Sequence, residues 1–116
     1  MFHIIKYHDD YRDDMIFCYL SAKNALGEKI YLRDDLLDIQ VNYFYKNDMF
    51  WIALNDDERV VGMIGTNTVS ITDMWLKRLF VKPEIKRNGI GSALLTNCRE
   101  IRKVKRHHIN PYKIWK

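Results

Sequence analysis

Cysteine, proline and glycine are scarce in this sequence: of 116 residues, two are cysteine, two are proline and five are glycine. Cys18 and Cys98 lie far apart, which argues against a disulfide framework and predicts two buried free thiols in a reducing compartment. No apolar run approaches the roughly 20 residues of a membrane span, and the first residues lack the pattern of a signal peptide. We therefore expect a cytoplasmic protein without a membrane segment.

Acidic residues are unevenly distributed. Residues 1–58 contain 12 acidic and 6 basic residues, whereas residues 59–116 contain 3 acidic and 13 basic residues. An anionic partner would therefore bind the second half, and both nucleic acid and a nucleotide-like cofactor fit that charge. Apolar residues make up 47% of the chain, which predicts one globular domain spanning residues 1–116.

Hydrophobic periodicity predicts the element order β-α-α-β-β-β-α-β, and this order favours a mixed sheet with helices on both faces. The second helix is expected to place Leu37, Val41, Phe44 and Tyr45 on one side. The predicted elements are a strand at Phe2–Tyr7, a helix capped by Asp9-Asp10 and stopped by Gly27, a helix from Asp34, strands at Phe50–Leu54, Val60–Gly65 and Met74–Val81, a helix from Ile90 to Val104, and a short strand at Tyr112–Trp115.

The strand Met74–Val81 has an irregular apolar pattern. Met74 and Leu76 share one parity, while Leu79 and Val81 share the other. A β-bulge near Lys77-Arg78 would produce this shift. Burial of both faces of the strand is the alternative, because the intervening aromatic residues are apolar too.

The segment from Lys86 to Ser92 carries the clearest chemistry. Gly89 and Gly91 permit a tight turn and close approach of a ligand to the backbone. Successive N–H groups in such a turn, together with the N-terminus of the following helix, form a site for an anion. Lys86 and Arg87 add positive charge, so the segment could hold a pyrophosphate. A glycine-rich turn without a ligand is the alternative, and the Walker A and Rossmann patterns are absent.

The residues from Leu76 to Leu95 resemble the signature segment of the GCN5-related N-acetyltransferase (GNAT) superfamily. The shared features are a strand ending in Leu79-Phe80-Val81, a connection containing proline, a glycine loop and a helix that opens with small and leucine residues. The resemblance implies an α/β (α+β) fold with a mixed, mostly antiparallel sheet and helices on both faces, here expected to lack the family's last strands. It also implies an enzyme that transfers an acetyl group from acetyl-CoA to a primary amine of a small molecule or protein.

The resemblance further implies where acetyl-CoA, the co-substrate, would lie. The main-chain groups of Leu79, Phe80 and Val81 would run alongside the pantetheine arm. Lysine stands where the family has Gln or Arg at the start of the loop; it keeps the charge but loses the planar fork, so weakened phosphate binding is expected. The residues implied to hold the pyrophosphate are Lys86, Arg87, Asn88, Gly89, Ile90, Gly91 and Ser92.

After the signature helix the family continues for a strand, a helix and two more strands, whereas 12 residues follow Val104 here. A truncated, non-catalytic acyl-CoA-binding domain is therefore an alternative to the enzyme. A homodimer could complete the sheet, because an unpaired edge invites pairing.

The candidate catalytic residues are Asp73, as a general base acting through water, and Tyr112, as the acid that protonates the leaving thiolate if the tail folds onto the cofactor. The alternatives are that Asp73 is a turn aspartate and that Tyr112 is a packed or exposed tyrosine of the tail. The histidines lack metal-ligand spacing, so no metal is expected. The basic residues from Arg99 to His108 could contact nucleic-acid phosphates, but no recognised nucleic-acid motif surrounds them. A basic nucleic-acid-binding protein remains the second alternative.

Overall fold

The computed structural model describes residues 1–27, 34–70, 73–85, 88–105 and 108–115, and describes side chains for all of these except 34, 100–105 and 108–115. Among them, no helix is long and apolar enough to cross a membrane. The elements are β1 (Phe2–Lys6), α1 (Arg12–Ala25), α2 (Asp34–Leu37), α3 (Ile39–Asn42), β2 (Phe50–Asn55), β3 (Val60–Thr68), β4 (Asp73–Val81), α4 (Ile90–Lys105) and β5 (His108–Trp115), with 3₁₀ turns at Asp9–Tyr11, Phe44–Lys46 and Pro83–Ile85.

The described strands form one sheet in the order β1-β2-β3-β4-β5. The first four strands pair antiparallel with their neighbours, and β5 pairs parallel with β4. A parallel neighbour needs a crossover connection, which α4 supplies between β4 and β5. This is the predicted mixed, mostly antiparallel sheet, and the predicted fold class is confirmed.

Helices cover the two faces of this sheet, and a separate apolar cluster fills each side. On one face α1 contributes Met15, Cys18 and Tyr19, which pack with strand residues such as Ile52 and Met63. On the other face Ile90, Leu94 and Cys98 of α4 pack with Trp51, Val61, Ile64 and Leu76. Both cysteines are free and buried, and burial raises the pKa of Cys18 to about 12, so this thiol stays protonated at neutral pH.

The first helix begins slightly later than predicted. The side chain of His8 accepts a hydrogen bond from the N–H of Asp10 at 3.1 Å and caps a 3₁₀ turn, after which α1 starts at Arg12. Gly27 ends the helix as predicted, with φ at +71°. Glycine adopts this left-handed conformation without the steric cost that a side chain would bring.

The predicted second helix is broken, and its predicted apolar face was wrong. Asp38 leaves helical geometry, and its side chain accepts from the N–H of Val41, so it ends α2 and caps α3. The break shifts the phase of the apolar stripe. Leu37, Val41 and Tyr45 are exposed, whereas the fully buried residues of this segment are Leu36, Ile39 and Tyr43.

The predicted bulge in β4 is present at Arg78. Met63 and Gly65 of β3 pair with Phe80 and Lys77, so β4 carries one extra residue in this interval. Arg78 has a φ of +59°, in the left-handed region that favours glycine. The bulge lets side chains of opposite parity in β4 reach the same apolar cluster, on the face that α4 covers. These side chains are Met74 and Leu76 before the bulge and Leu79 and Val81 after it. The other face is covered too, since Phe80 packs beneath α1.

Candidate functional site

The half of β4 that follows the bulge has an open main-chain edge. β5 pairs with β4 from Asp73 to Lys77. Within the described chain, no strand pairs with the same edge of β4 after Lys77. The N–H of Lys82 donates to Val61 of β3 at 3.0 Å. Backbone groups alternate in direction along a strand, so the N–H and C=O groups of Leu79 and Val81 face away from β3, toward the open edge.

The N-terminus of α4 follows this edge and offers further donors. The first helical hydrogen bond runs from the N–H of Ala93 to the carbonyl of Gly89 at 2.9 Å. The N–H groups of Ile90, Gly91 and Ser92 precede that bond and have no acceptor four residues back within the helix. Three donors at the end of a 16-residue helix favour an anion.

The two glycines of this turn serve different needs. Gly89 has a φ of +82°, so the turn itself requires glycine there. At Gly91 the φ is ordinary, and a Cβ would meet nothing closer than Val81 Cγ2 at 3.9 Å. The fold of the chain therefore does not require a glycine at Gly91, whereas close approach of a ligand to its backbone would. Lys86 and Arg87, also predicted to hold phosphate, lie outside the described residues.

A charged cluster lies at the bulge itself, and no pattern in the sequence predicted it. Arg78 donates from Nη2 to Asp35 Oδ1 at 2.8 Å and from Nε to Asp35 Oδ2 at 3.1 Å. The hydroxyl of Tyr43 donates to the same Asp35 Oδ2 at 2.6 Å. Tyr43 is fully buried, and Arg78 and Asp35 are 14% and 19% exposed. The cluster thus joins α2 to the bulge of β4.

The electrostatics of the cluster keep its charges in place. Burial acts to raise the pKa of Asp35, but the hydrogen bonds from Arg78 and Tyr43 outweigh it and hold this pKa below its usual value. Burial and the neighbouring carboxylate raise the pKa of Tyr43, so its hydroxyl remains a donor. Burial lowers the pKa of Lys77, whose Nζ lies 4.8 Å from the centre of the Tyr43 ring. At neutral pH the cluster is an ion pair supported by a neutral phenol.

The two predicted catalytic residues occupy different places. Asp73 is the exposed first residue of β4, five positions before the bulge, which at the usual strand rise is about 16 Å of strand. Tyr112 lies in β5, in the irregular stretch between the pairs Met74–Ile109 and Leu76–Ile114. The structure does not bring these residues together at the open edge, and their catalytic roles stay predictions.

A cavity adjoins the glycine turn and the first turn of α4. The cavity, of about 420 Å³, lies between the first turn of α4 and the ends of β1 and β2, with Phe2, Asn55 and Ile90 in its wall. Asn88 and Ile90, both predicted to hold the pyrophosphate, line this cavity. Among the residues described here, no three His, Cys, Asp or Glu side chains are grouped so that they could hold a metal ion.

The bulged strand β4, the glycine turn and the first turn of α4 lie within or beside the segment Leu76–Leu95, whose sequence resembles the GNAT signature. The family model of the acetyltransferase (GNAT) domain matches residues 46–114. A crystal structure of a GNAT-family acetyltransferase from Staphylococcus aureus Mu50 is 31% identical, with a TM-score of 0.87 over 94% of this chain and 72% of that chain. The chain belongs to the GNAT acetyltransferase family.

Two more distant structures share the fold. An acetyltransferase from Streptococcus agalactiae 2603 is 22% identical, with a TM-score of 0.83 over 93% of this chain and 70% of that one. The PaiA N-acetyltransferase from Thermoplasma acidophilum, solved in complex with coenzyme A, is 23% identical, with a TM-score of 0.70 over 90% of this chain and 74% of that one. A search of curated proteins gave no significant match.

Proposed function

We propose that this protein is an N-acetyltransferase that moves the acetyl group of acetyl-CoA to a primary amine of a small molecule or protein. Family membership supports acyl-CoA-dependent acetyl transfer in general. The observation that carries the proposal is the open main-chain edge of Leu79 and Val81, which leads directly to the donors at the start of α4. A coenzyme A complex is known for a protein of the same fold.

In the proposed complex the pantetheine arm lies along the backbone of Leu79, Phe80 and Val81. Its amide groups would pair with the outward N–H and C=O groups, as an added strand would. The pyrophosphate would be held by the turn from Lys86 to Ser92. Gly91 supports this placement, because the absence of a side chain there leaves room for phosphate close to the helix N–H groups.

The acetyl group would then lie near the bulge. A neutral amine attacks the thioester carbon, a C–N bond forms, and the C–S bond breaks to release the thiolate of coenzyme A. An N–H from the open edge would stabilise the charge that develops on the carbonyl oxygen. The amine loses a proton to a base, for which we propose Asp73, and the thiolate gains one from an acid, for which we propose Tyr112. Given the position of Asp73, its proton transfer would need a chain of water molecules.

Release of coenzyme A thiol tests the activity. The chain, acetyl-CoA and a panel of polyamines, aminoglycosides and lysine peptides are incubated with a thiol reagent. We expect amine-dependent thiol release, with little background from the protein because Cys18 and Cys98 are buried. A reaction without amine controls for hydrolysis. Binding of acetyl-CoA without thiol release for any amine would contradict the enzyme and favour the non-catalytic alternative.

The predicted partners and location are part of the same proposal. β5 is one of the two outer strands of the described sheet, so a homodimer could extend the sheet there. Two buried free thiols support a reducing, cytoplasmic location. The basic residues that favoured nucleic acid lie mostly beyond Arg99, where the side chains are not described, and no observation in the described part of the chain supports that alternative.

A further inference from the structure

Arg78 adopts a conformation that its residue type disfavours. Its φ of +59° is left-handed, a conformation that brings the Cβ of a residue with a side chain too close to the following carbonyl oxygen. Such a conformation persists only where the surrounding structure holds it. At most bulges of this kind a glycine would remove the cost, so an arginine here requires a compensating interaction.

The Asp35 carboxylate supplies that interaction. It receives two parallel hydrogen bonds from the Arg78 guanidinium, at 2.8 and 3.1 Å, in the planar geometry that arginine offers and lysine does not. The carboxylate is itself fixed by the Tyr43 hydroxyl. Tyr43 cannot shift easily, because its ring is fully buried and lies edge-on against Phe50 with centroids 4.9 Å apart. A rigid chain of contacts therefore runs from the core to the bulge.

The backbone of Arg78 also determines where the next donor points. The peptide between Arg78 and Leu79 carries the Leu79 N–H, the first outward-facing N–H after the bulge. A change in the φ or ψ of Arg78 would turn that N–H away from the open edge. The direction of this donor thus depends on the conformation that the Asp35 pair stabilises.

We propose that Asp35 is a positioning residue: through its ion pair with Arg78 it holds the bulge so that the Leu79 N–H meets the thioester carbonyl of the acyl donor. This inference rests on the proposed function. It predicts that acetyl-CoA binds more tightly than coenzyme A, since only the thioester has that carbonyl. One hydrogen bond of ordinary strength corresponds to roughly a threefold to tenfold difference.

The test compares the affinities of acetyl-CoA and coenzyme A by calorimetric titration in four forms of the full chain. In Asp35→Ala we expect the preference for acetyl-CoA to fall to about one, with coenzyme A affinity within about twofold of the original. In Asp35→Ala/Arg78→Gly we expect the preference to return, because glycine adopts the left-handed conformation without a partner. The double variant also guards against failure of the single one to fold.

Asp14→Ala is the matched control. Asp14 accepts two hydrogen bonds from Arg59, at 2.7 and 3.0 Å, and is 20% exposed, but it joins α1 to the β2–β3 turn. Loss of the Asp14 carboxylate should lower the stability of the protein and leave its preference for acetyl-CoA over coenzyme A unchanged. An unaltered preference in Asp35→Ala, or no recovery in the double variant, would overturn the positioning role alone. Absence of binding of either ligand to the original chain would instead refute the proposed function, and the positioning role with it.

Discussion

Replacing Gly91 by valine is expected to remove most of the stabilisation of this protein by acetyl-CoA without unfolding it. At a ligand concentration 100 times Kd, the original chain should gain about 2.7 kcal/mol, or roughly 10 °C in Tm. The valine side chain would fill the space that a phosphate needs beside the N–H groups of α4. Loss of one or two charge-assisted hydrogen bonds weakens binding by about tenfold to a hundredfold, which would leave a shift of only about 2–5 °C.

The ligand-free fold should tolerate this change, because a Cβ at Gly91 makes only ordinary contact with Val81. Gly91→Ala is the graded control. Its Tm shift with acetyl-CoA should lie between those of the original chain and Gly91→Val, since the alanine side chain fills less of the space. Gly89 is a poorer position for the test, because its left-handed backbone would strain any substitute. Thermal melts with and without acetyl-CoA measure the effect. An undiminished shift in a folded Gly91→Val variant would argue against the turn as the phosphate site.

Replacing Gly65 by alanine is expected to destabilise the protein strongly. A Cβ at this position would lie 2.6 Å from Tyr43 Cε1 and 2.9 Å from Phe50 Cδ2. Both rings are fully buried and pack against each other, and the Tyr43 hydroxyl is bonded to Asp35. Neither ring has room to move, so overpacking should cost about 1–3 kcal/mol, or on the order of 10 °C in Tm.

Gly62→Ala provides the matched comparison in the same strand. Its Cβ would meet Ile90 Cγ2 at 2.7 Å and Leu94 Cδ1 at 3.2 Å. These contacts involve two methyl groups on α4, near its first turn, rather than two rings that pack against each other, so a small shift of the helix can relieve them and the loss of Tm should be smaller. Equal losses in the two variants would show that the rigidity of the Tyr43–Phe50 contact does not determine the cost.

The sequence predicted those parts of the site that depend on local pattern. The opposite parity of Met74 and Leu79 indicated a bulge because side chains alternate strictly along a strand. Gly89 and Gly91 at a strand-to-helix connection indicated an anion site because backbone donors gather at the start of a helix. The bulge and the glycine turn each depend on a few neighbouring residues, and the resemblance to the GNAT signature segment indicated that they belong to one site.

The remaining features depend on contacts between distant residues. Asp35 and Arg78 are 43 positions apart, and no short pattern indicates that an acidic residue of α2 will meet the bulge. The break at Asp38 was missed because its side chain satisfies the N–H of Val41 and starts a new helix within an apolar stripe that looked continuous.

Calorimetric titration of the purified chain with acetyl-CoA tests the central claim most directly. The open edge of β4 and the donors of α4 predict saturable binding at one site per chain, and dephospho-pantetheine should bind more weakly because it lacks the phosphates that the turn would hold. Absence of heat with acetyl-CoA at millimolar concentration, or equal affinity for the two ligands, would contradict the account.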